Sequence, residues 1–313
     1  MSWGGEHGVR IGLSAVVMAL RSGRLCILTT ETPEGELALP FGPFDPAGDR
    51  TFERALRSFV TAQTGFGLGF VEQLYTFGDA GRAAPRPTPG PDRQREVSVG
   101  YLALTAEAVD MAPSGARWTP ALEIFPWEDR RTPATRLTND IVNSLTTWAG
   151  GDPRRVDRIE ALFAPSASVR WDETRVLERY ELLYEAGLVA EAARDRDDAS
   201  PLDLFDRQMA SDHRRILATG LGRLRSKLRY RPVLFELTPA TFTLSALQAA
   251  AEAVVGLNLH KQNFRRGVER TGLVEPTGRL SPGTGGRPAE LFRFTGAGPR
   301  DGQAPGLSLP ALR

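Results

Sequence analysis

The chain has 313 residues, of which 41% are hydrophobic, and a formal net charge of +1 at pH 7. This length is enough for two or three domains with sizeable cores. No apolar run reaches the roughly 20 residues that a membrane-spanning helix needs, so no membrane partner is expected. The single cysteine and three separated histidines, His7, His213 and His260, exclude an intrachain disulfide and a zinc cluster. No signal peptide is predicted, and we expect a cytoplasmic protein.

Strand and turn signals alternate over the first 131 residues. Apolar runs at 11–20 and 25–30 flank a Ser-Gly-Arg turn, which is the pattern of a β-hairpin. A helix is predicted at 51–64, and Gly65 ends it. Further strands are predicted at 36–39, 70–77 and 97–104, with a mobile proline-rich loop at 83–92. Together these elements predict an α/β sandwich domain over residues 1–131.

The next segment, residues 132–228, is charged and has helical periodicity. Its predicted helices are residues 139–148, 155–163, 171–193 and 209–228. One apolar stripe is formed by Val176, Tyr180, Leu183, Tyr184 and Leu188. Core packing or a dimer interface explains such a stripe better than a ligand site. We interpret the segment as a helical insert or linker.

The C-terminal part has the pattern of a winged helix-turn-helix. Thr243 is placed to cap a helix at 244–255, and Gly256 breaks that helix. A second helix at 261–271 is anchored by Phe264 and Val268, and Gly272 ends it. Predicted strands at 273–277 and 290–294 flank a glycine-rich loop and form the wing. The domain is assigned to residues 229–295, and a disordered tail to 296–313.

Positive charge is concentrated in this part of the chain. Residues 221–295 hold 12 Lys/Arg against 5 Asp/Glu, a net charge of +7. A basic module on an acidic body is typical of nucleic-acid binding at one end, and we expect double-stranded DNA as the partner. The candidate DNA-contacting residues are Thr243, Ser245, Lys261, Gln262, Asn263, Arg265, Arg266, Arg270, Arg279 and Arg287. A solvated basic helix, or a winged helix used for protein contact, is the alternative.

The candidate residues divide into two groups by side-chain chemistry. Lys261, Gln262, Asn263 and Arg265 are the candidates for base edges, because Arg pairs with guanine and Asn or Gln with adenine. The remaining arginines are expected mostly to hold phosphate.

Several sequence segments resemble a known family of regulators. LPFGPFDPAGDRTFERALRSFVTAQTG (39–65) is similar to a Nudix box in layout. QLYTFGD (73–79), EVSVGYLAL (96–104), SDHRRILATGLGRLRSKLRYRPVLFELTP (211–239), NFRR (263–266), GLVEPTG (272–278) and GGRPAELFRF (285–294) resemble segments of the Nudix-related transcriptional regulators called NrtR. The resemblance covers residues 9–130 and 209–295, and the intervening helices suggest the longer NadQ-type branch. It implies a homodimeric repressor of NAD biosynthesis or salvage genes on a palindromic operator, responding to NAD, ADP-ribose or ATP.

The Nudix-like stretch departs from the working pattern at its metal-binding glutamates. In active members, those carboxylates hold a divalent metal at a pyrophosphate. When the pattern is anchored on Gly65, the glutamate positions fall on Arg50, Phe59, Ala62 and Gln63. We therefore expect no catalytic residues, no metal and no catalytic cofactor. An active pyrophosphohydrolase of ADP-ribose or NAD with an accessory winged helix is the alternative.

A domain that has lost this chemistry can keep a nucleotide pocket. Arg50, Arg54 and Arg57 lie at the predicted helix start, where cations and the helix dipole attract anions, although a solvated face is equally consistent. Aromatic candidates for adenine stacking, or else for core packing, are Phe41, Phe44, Tyr75 and Trp127.

Overall fold

The computed structural model describes residues 9–78, 95–106, 115–132, 136–166, 169–196, 207–281 and 288–296. The proline-rich loop at 83–92, Arg287 and the tail from residue 297 lie outside the described residues. The strands are β1 (Val9–Arg21), β2 (Arg24–Glu31), β3 (Leu37–Ala38), β4 (Phe41–Pro43), β5 (Phe70–Phe77), β6 (Arg95–Thr105), β7 (Arg117–Pro120), β8 (Val274–Leu280) and β9 (Glu290–Phe294). The α-helices are α1 (Phe52–Thr64), α2 (Ala121–Ile124), α3 (Arg136–Ala149), α4 (Pro153–Phe163), α5 (Val176–Glu185), α6 (Ala190–Arg196), α7 (His213–Lys227), α8 (Leu244–Val255) and α9 (Lys261–Thr271). Among the described residues, no helix has the length and apolarity to cross a membrane.

A seven-stranded mixed sheet forms the N-terminal domain, with the order β3-β2-β1-β6-β5 and with β4 and β7 added at β1 and β2. The hairpin of β1 and β2 pairs as predicted, with Met18 opposite Ile27. Strand β1 also pairs in parallel with β6, so Val9 lies opposite Arg95. This parallel pairing joins segments far apart in sequence, and the sequence alone did not predict it.

The two faces of the sheet bury different partners. On one face, alternate β1 residues such as Leu13 and Ala15 pack with Leu56 and Val60 of α1. The other β1 residues, such as Val16 and Met18, pack toward α7 and the C-terminal helices. Period-two alternation of a strand buried on both faces explains this division.

The helical segment differs from its prediction at one helix. The predicted helix at 171–193 is two helices, α5 and α6. Gly187, between them, has φ of +74°, a left-handed conformation that ends a helix and favours glycine. The apolar stripe from Val176 to Leu188 is mostly buried within the chain, since Val176, Tyr180 and Leu183 are at most 1% exposed. It serves the core, so these three residues offer no surface for a dimer interface.

The last helix of the predicted insert packs as part of the sheet domain. Ile216, Leu217 and Leu221 of α7 share a core cluster with Val16 and Met18 of β1. Helix α7 falls within the insert predicted over 132–228, yet it packs on the sheet domain, whose last strand, β7, ends at Pro120, about 90 residues before α7 begins.

The C-terminal unit has the predicted winged helix-turn-helix elements. Helices α8 and α9 span 244–255 and 261–271, and Gly256 and Gly272 end them with φ of +70° and +64°. Strands β8 and β9 form the wing, and Phe242 bridges to Phe292 beside them. Leu247 of α8 belongs to the same core cluster as Met18 of β1, so one apolar core runs from the sheet into the winged helix.

Candidate nucleic-acid interface

The second helix of the helix-turn-helix, α9, turns its polar residues to solvent. Phe264 and Val268 are each 1% exposed and anchor the helix on the core, in agreement with their spacing. Lys261, Gln262 and Asn263 form the first turn and are exposed. Ammonium and amide groups of this kind bond to phosphates and base edges. The first turn of α9 is therefore rich in groups that can contact DNA.

The three arginines of α9 differ in their surroundings. Arg265 is half-buried, and its Nη2 donates to the Ser245 hydroxyl on α8. Arg266 stays close to its own helix, with its Nη2 at 3.2 Å from Asn263 Oδ1. Arg270 is exposed in the last turn, where a cation also suits the helix dipole. Arg265 is thus the most constrained of the three.

Thr243 has a defined structural role. Its hydroxyl oxygen accepts a hydrogen bond from the Ala246 amide at 3.1 Å, which makes it the N-cap of α8, as predicted. Because the hydroxyl is engaged in the cap, a DNA contact by this side chain would have to share it. That contact stays a prediction.

The wing is longer on its first strand than predicted. Strand β8 continues to Leu280, so Arg279 lies on the strand and is exposed, and the predicted loop begins after it. Arg293 on β9 is paired with Glu275 on β8 at 2.6 Å. Arg287, the other predicted wing cation, is outside the described residues.

Two polar residues of α8 hold the loop before α9, although neither was predicted as a site residue. Glu252 Oε1 accepts from the Leu259 amide at 2.8 Å, and Gln248 Nε2 donates to the Leu259 carbonyl at 2.8 Å. Gln248 also donates to Glu252. Their spacing of four on α8 was the available signal. These bonds fix the position from which α9 begins.

The predicted cationic start of α1 is only partly available to a ligand. Arg50 and Arg54 are exposed. Arg57 instead bonds to Glu53 at 2.8 Å and to the carbonyl of Gly69 at 3.0 Å, and also to the carbonyl of Leu68. Of the three predicted arginines, Arg50 and Arg54 therefore present exposed positive charge near this helix start.

The four predicted aromatic residues do not form one group. Phe44 packs edge to face with Phe52 of α1. Tyr75 is 62% exposed and contacts Phe77, which belongs to the core cluster on the α7 side of the sheet. Trp127 is 1% exposed inside that core, so the prediction that it stacks on an adenine is wrong for this structure.

Phe41 lies between the two sides of the sheet domain. Its ring is 41% exposed and contacts the His213 ring at a centroid distance of 4.9 Å. His213 is buried, and its Nδ1 accepts from the Leu39 amide at 3.2 Å. Burial, and secondarily the positive charge of Arg194, lowers the pKa of His213 from its ordinary 6.5 to about 4. The imidazole is therefore neutral at physiological pH.

Two of the four positions where the Nudix pattern, anchored on Gly65, would have glutamates make contacts within the sheet domain. The Phe59 ring lies against Gly42, where an added Cβ would meet it at 3.0 Å. Gln63 Nε2 donates to the Phe41 carbonyl at 2.6 Å. Ala62 and Arg50 are exposed. Among the residues the structure describes, no group of three or more His, Cys, Asp or Glu is gathered as metal ligands would be.

Comparison with known families identifies the C-terminal domain. Residues 234–294 match the NrtR DNA-binding winged helix domain. A stretch of 86 residues is 42% identical to the ADPR responsive transcriptional repressor NtrR of Acinetobacter baylyi. This stretch is 28% of the present chain and 34% of the relative, so the match spans about a third of that relative's length.

Solved structures extend the likeness to the fold of the whole chain. NrtR of Shewanella oneidensis, in a complex with a 27mer DNA, has a TM-score of 0.55 and 20% identity, with 91% of this chain and 93% of that chain covered. A MutT/nudix family protein from Enterococcus faecalis has a TM-score of 0.52 and 15% identity, with coverage of 92% and 89%. The chain thus shares its fold with these two proteins, with a sheet domain, a helical segment and a C-terminal winged helix domain that matches the NrtR family model. The NadQ-type branch stays a prediction.

Proposed function

We propose that this chain is a DNA-binding transcriptional repressor that responds to an adenine nucleotide. The observation that carries the proposal is the exposed first turn of α9, with Lys261, Gln262 and Asn263 on a helix anchored by Phe264 and Val268. The name of the Acinetobacter relative, an ADPR responsive transcriptional repressor, supports it, as does the DNA bound to the Shewanella protein. The action would take place in the cytoplasm.

In this proposal α9 enters the major groove with its first turn toward the bases. Lys261, Gln262, Asn263 and Arg265 contact base edges, and Arg266 and Arg270 hold phosphate. The wing brings Arg279 toward the backbone beside the groove. A homodimer would present two such units to the half-sites of a palindromic operator.

The Nudix-like domain would bind the effector without cleaving it. Arg50 and Arg54, both exposed near the start of α1, would attract the nucleotide's phosphates. ADP-ribose is the first candidate because of the relative's name, and NAD and ATP are the others. In this proposal, Phe59 and Gln63 stand at two of the positions where the Nudix pattern would have metal-binding glutamates, so neither position offers a carboxylate. The regulated genes would be those of NAD biosynthesis or salvage.

The test is binding of the full chain to DNA from upstream of its own operon and of NAD-synthesis genes, measured by fluorescence anisotropy at several salt concentrations. We expect binding that weakens steeply with salt and that changes when ADP-ribose, NAD or ATP is added. Salt-insensitive binding, or none, would reject DNA recognition. DNA binding that none of the three nucleotides changes would reject effector sensing but not DNA recognition. Magnesium-dependent cleavage of ADP-ribose would reject the non-hydrolytic assignment.

A further inference from the structure

A fully buried carboxylate stands where the sheet domain, the helical segment and the winged helix meet. Glu128, in the short turn that follows α2, accepts from Arg179 of α5 at 2.6 and 2.9 Å. It also accepts from Arg225 of α7. All three side chains are 0% exposed. One carboxylate thus joins two helices that lie apart in sequence.

The same cluster is bonded directly to the helix-turn-helix. Arg225 Nε donates to the carbonyl of Val254, in the last turn of α8, at 2.8 Å. The amide of Arg130, two residues after Glu128, donates to the Gly256 carbonyl at 2.7 Å. A Cβ added at Gly256 would overlap the Glu128 carbonyl oxygen. The turn between the two helices of the helix-turn-helix therefore packs directly against the Glu128 segment.

The charges of this cluster depend on one another. Burial opposes ionisation of Glu128, but the Arg179 and Arg225 guanidiniums outweigh it and hold the carboxyl pKa below its ordinary value. Trp171 covers the Arg179 guanidinium at 3.8 Å and the Arg130 guanidinium at 4.6 Å from its ring centroid. Without the carboxylate, two buried cations would face each other unpaired, which a dry site disfavours strongly.

We propose that Glu128, through Arg225, is a positioning residue that fixes the orientation of the winged helix relative to the sheet domain. Loss of the carboxylate would separate the guanidinium of Arg225 from its counter-charge and release its bond to α8. The packing of Gly256 against the Glu128 segment would also be weakened. The winged helix would then sample a range of orientations instead of one, while the folded domains persist.

The chain provides a matched control in a second buried ion pair. Arg214 of α7 donates to Glu191 of α6 at 3.2 Å, and the two side chains are 1% and 2% exposed. Arg214 also donates to the Ile124 carbonyl at the end of α2. The bonds of this pair run within the helical segment and sheet domain. Glu191→Gln therefore removes a comparable buried charge without touching the α8–α9 turn.

The first measurement is the distance between the domains in the full chain, by double electron–electron resonance. Spin labels would be attached at Glu34→Cys in the sheet domain and Ala249→Cys on α8, two exposed positions, in a Cys26→Ala background. Excess unlabelled protein suppresses distances between chains. We expect one narrow distribution for the otherwise unchanged chain and for Glu191→Gln, and a broadened or shifted distribution for Glu128→Gln and Arg225→Lys. Arg225→Lys keeps the positive charge but replaces the planar fork that reaches both Glu128 and Val254.

Folded variants with unchanged distances would overturn the proposal. Circular dichroism separates loss of orientation from loss of fold. If Glu128→Gln is unfolded, the distance distribution of Arg225→Lys tests the proposal in its place. If both variants are unfolded while Glu191→Gln is folded, the cluster is a folding requirement and the positioning role is rejected.

The expected effect on DNA affinity rests on the proposed function and is measured separately. We expect Glu128→Gln to weaken binding to the upstream fragment about tenfold relative to Glu191→Gln, because only a fraction of chains present the binding orientation. Equal affinities would overturn this consequence. If the unchanged chain shows no salt-sensitive DNA binding, the proposed function fails, and the distance measurement still decides whether Glu128 positions the domain.

Discussion

The guanidinium of Arg265 on α9 donates to the hydroxyl of Ser245 on α8, with 3.3 Å between nitrogen and oxygen. The bond crosses the helix-turn-helix and holds the half-buried arginine at the interface of its two helices. Lys261 and Asn263, which precede it on the same helix, are exposed. A base-contacting side chain that is already held in place loses less conformational freedom on binding than one that is free.

Replacement of Arg265 by alanine should therefore reduce discrimination between operator and unrelated DNA. The expected loss is about 1–3 kcal/mol on the operator and much less on unrelated sequence. Replacement of Arg270 should weaken both by similar factors and reduce the salt slope by about 1. Anisotropy titrations at four salt concentrations measure both quantities, with Arg154→Ala on the exposed surface of α4 as a charge-matched control. Identical behaviour of all three variants would contradict the docking.

Gly256→Ala should destabilise the fold more than Gly272→Ala. Both glycines have positive φ, at +70° and +64°. An added methyl group meets no atom within 4 Å at Gly272, but at Gly256 it overlaps the Glu128 carbonyl. We expect a cost of about 1 kcal/mol at Gly272 and about 3 kcal/mol at Gly256. Urea midpoints at constant m-value measure the difference. Equal midpoints would show that Gly256 does not pack closely against the Glu128 carbonyl.

Arg54 and Arg57, one turn apart on α1, should behave differently. Arg57→Ala should lower the free energy of unfolding by about 1 kcal/mol, since its guanidinium bonds to Glu53 and to two carbonyls. Arg54→Ala should leave stability unchanged but weaken ADP-ribose binding about tenfold. Thermal melts and calorimetric titration distinguish the two effects. Unchanged nucleotide affinity in Arg54→Ala would place the effector elsewhere.

His213 should make the protein less stable in mild acid. Its folded-state pKa of about 4 lies below the unfolded value of 6.5, so the unfolded chain binds the proton first as the pH falls. Stability is then lost progressively from pH 6.5 downward, by about 2 kcal/mol at pH 5. His213→Gln, whose amide oxygen can still accept from Leu39, should remove this slope. The exposed His260→Gln is the control, and an unaltered slope in His213→Gln would contradict the assignment.

Local signals predicted most of the winged helix. The Thr243 cap, the glycines at 256 and 272 and the spacing of Phe264 and Val268 are encoded within a few residues of where they act. Both helices therefore begin and end at the predicted residues. The end of β8 was placed too early, because Leu280 pairs with Glu290 across a loop whose register no local pattern gives.

The surroundings of the candidate effector-binding residues were harder to predict, because they depend on packing between distant segments. Trp127 and Phe44 are both aromatic, yet one is enclosed in the core and the other packs on α1. Arg57 differs from Arg54 because Glu53 and the carbonyls of the loop at 68–69 engage its charge, and no local pattern places those carbonyls beside it. Nothing around Glu128 in the sequence marked it, since its partners lie about 50 and 100 residues away.

The seat of Gly256 on the Glu128 carbonyl also limits how this molecule can be recombined. A winged helix moved to an unrelated body would keep its own caps and anchors but would lose the surface that its turn rests on. A chimaera that keeps these contacts has to carry α7 and the segment around Glu128 together with the winged helix. Exchange of sequence between relatives is therefore simplest within α9 itself, downstream of the turn.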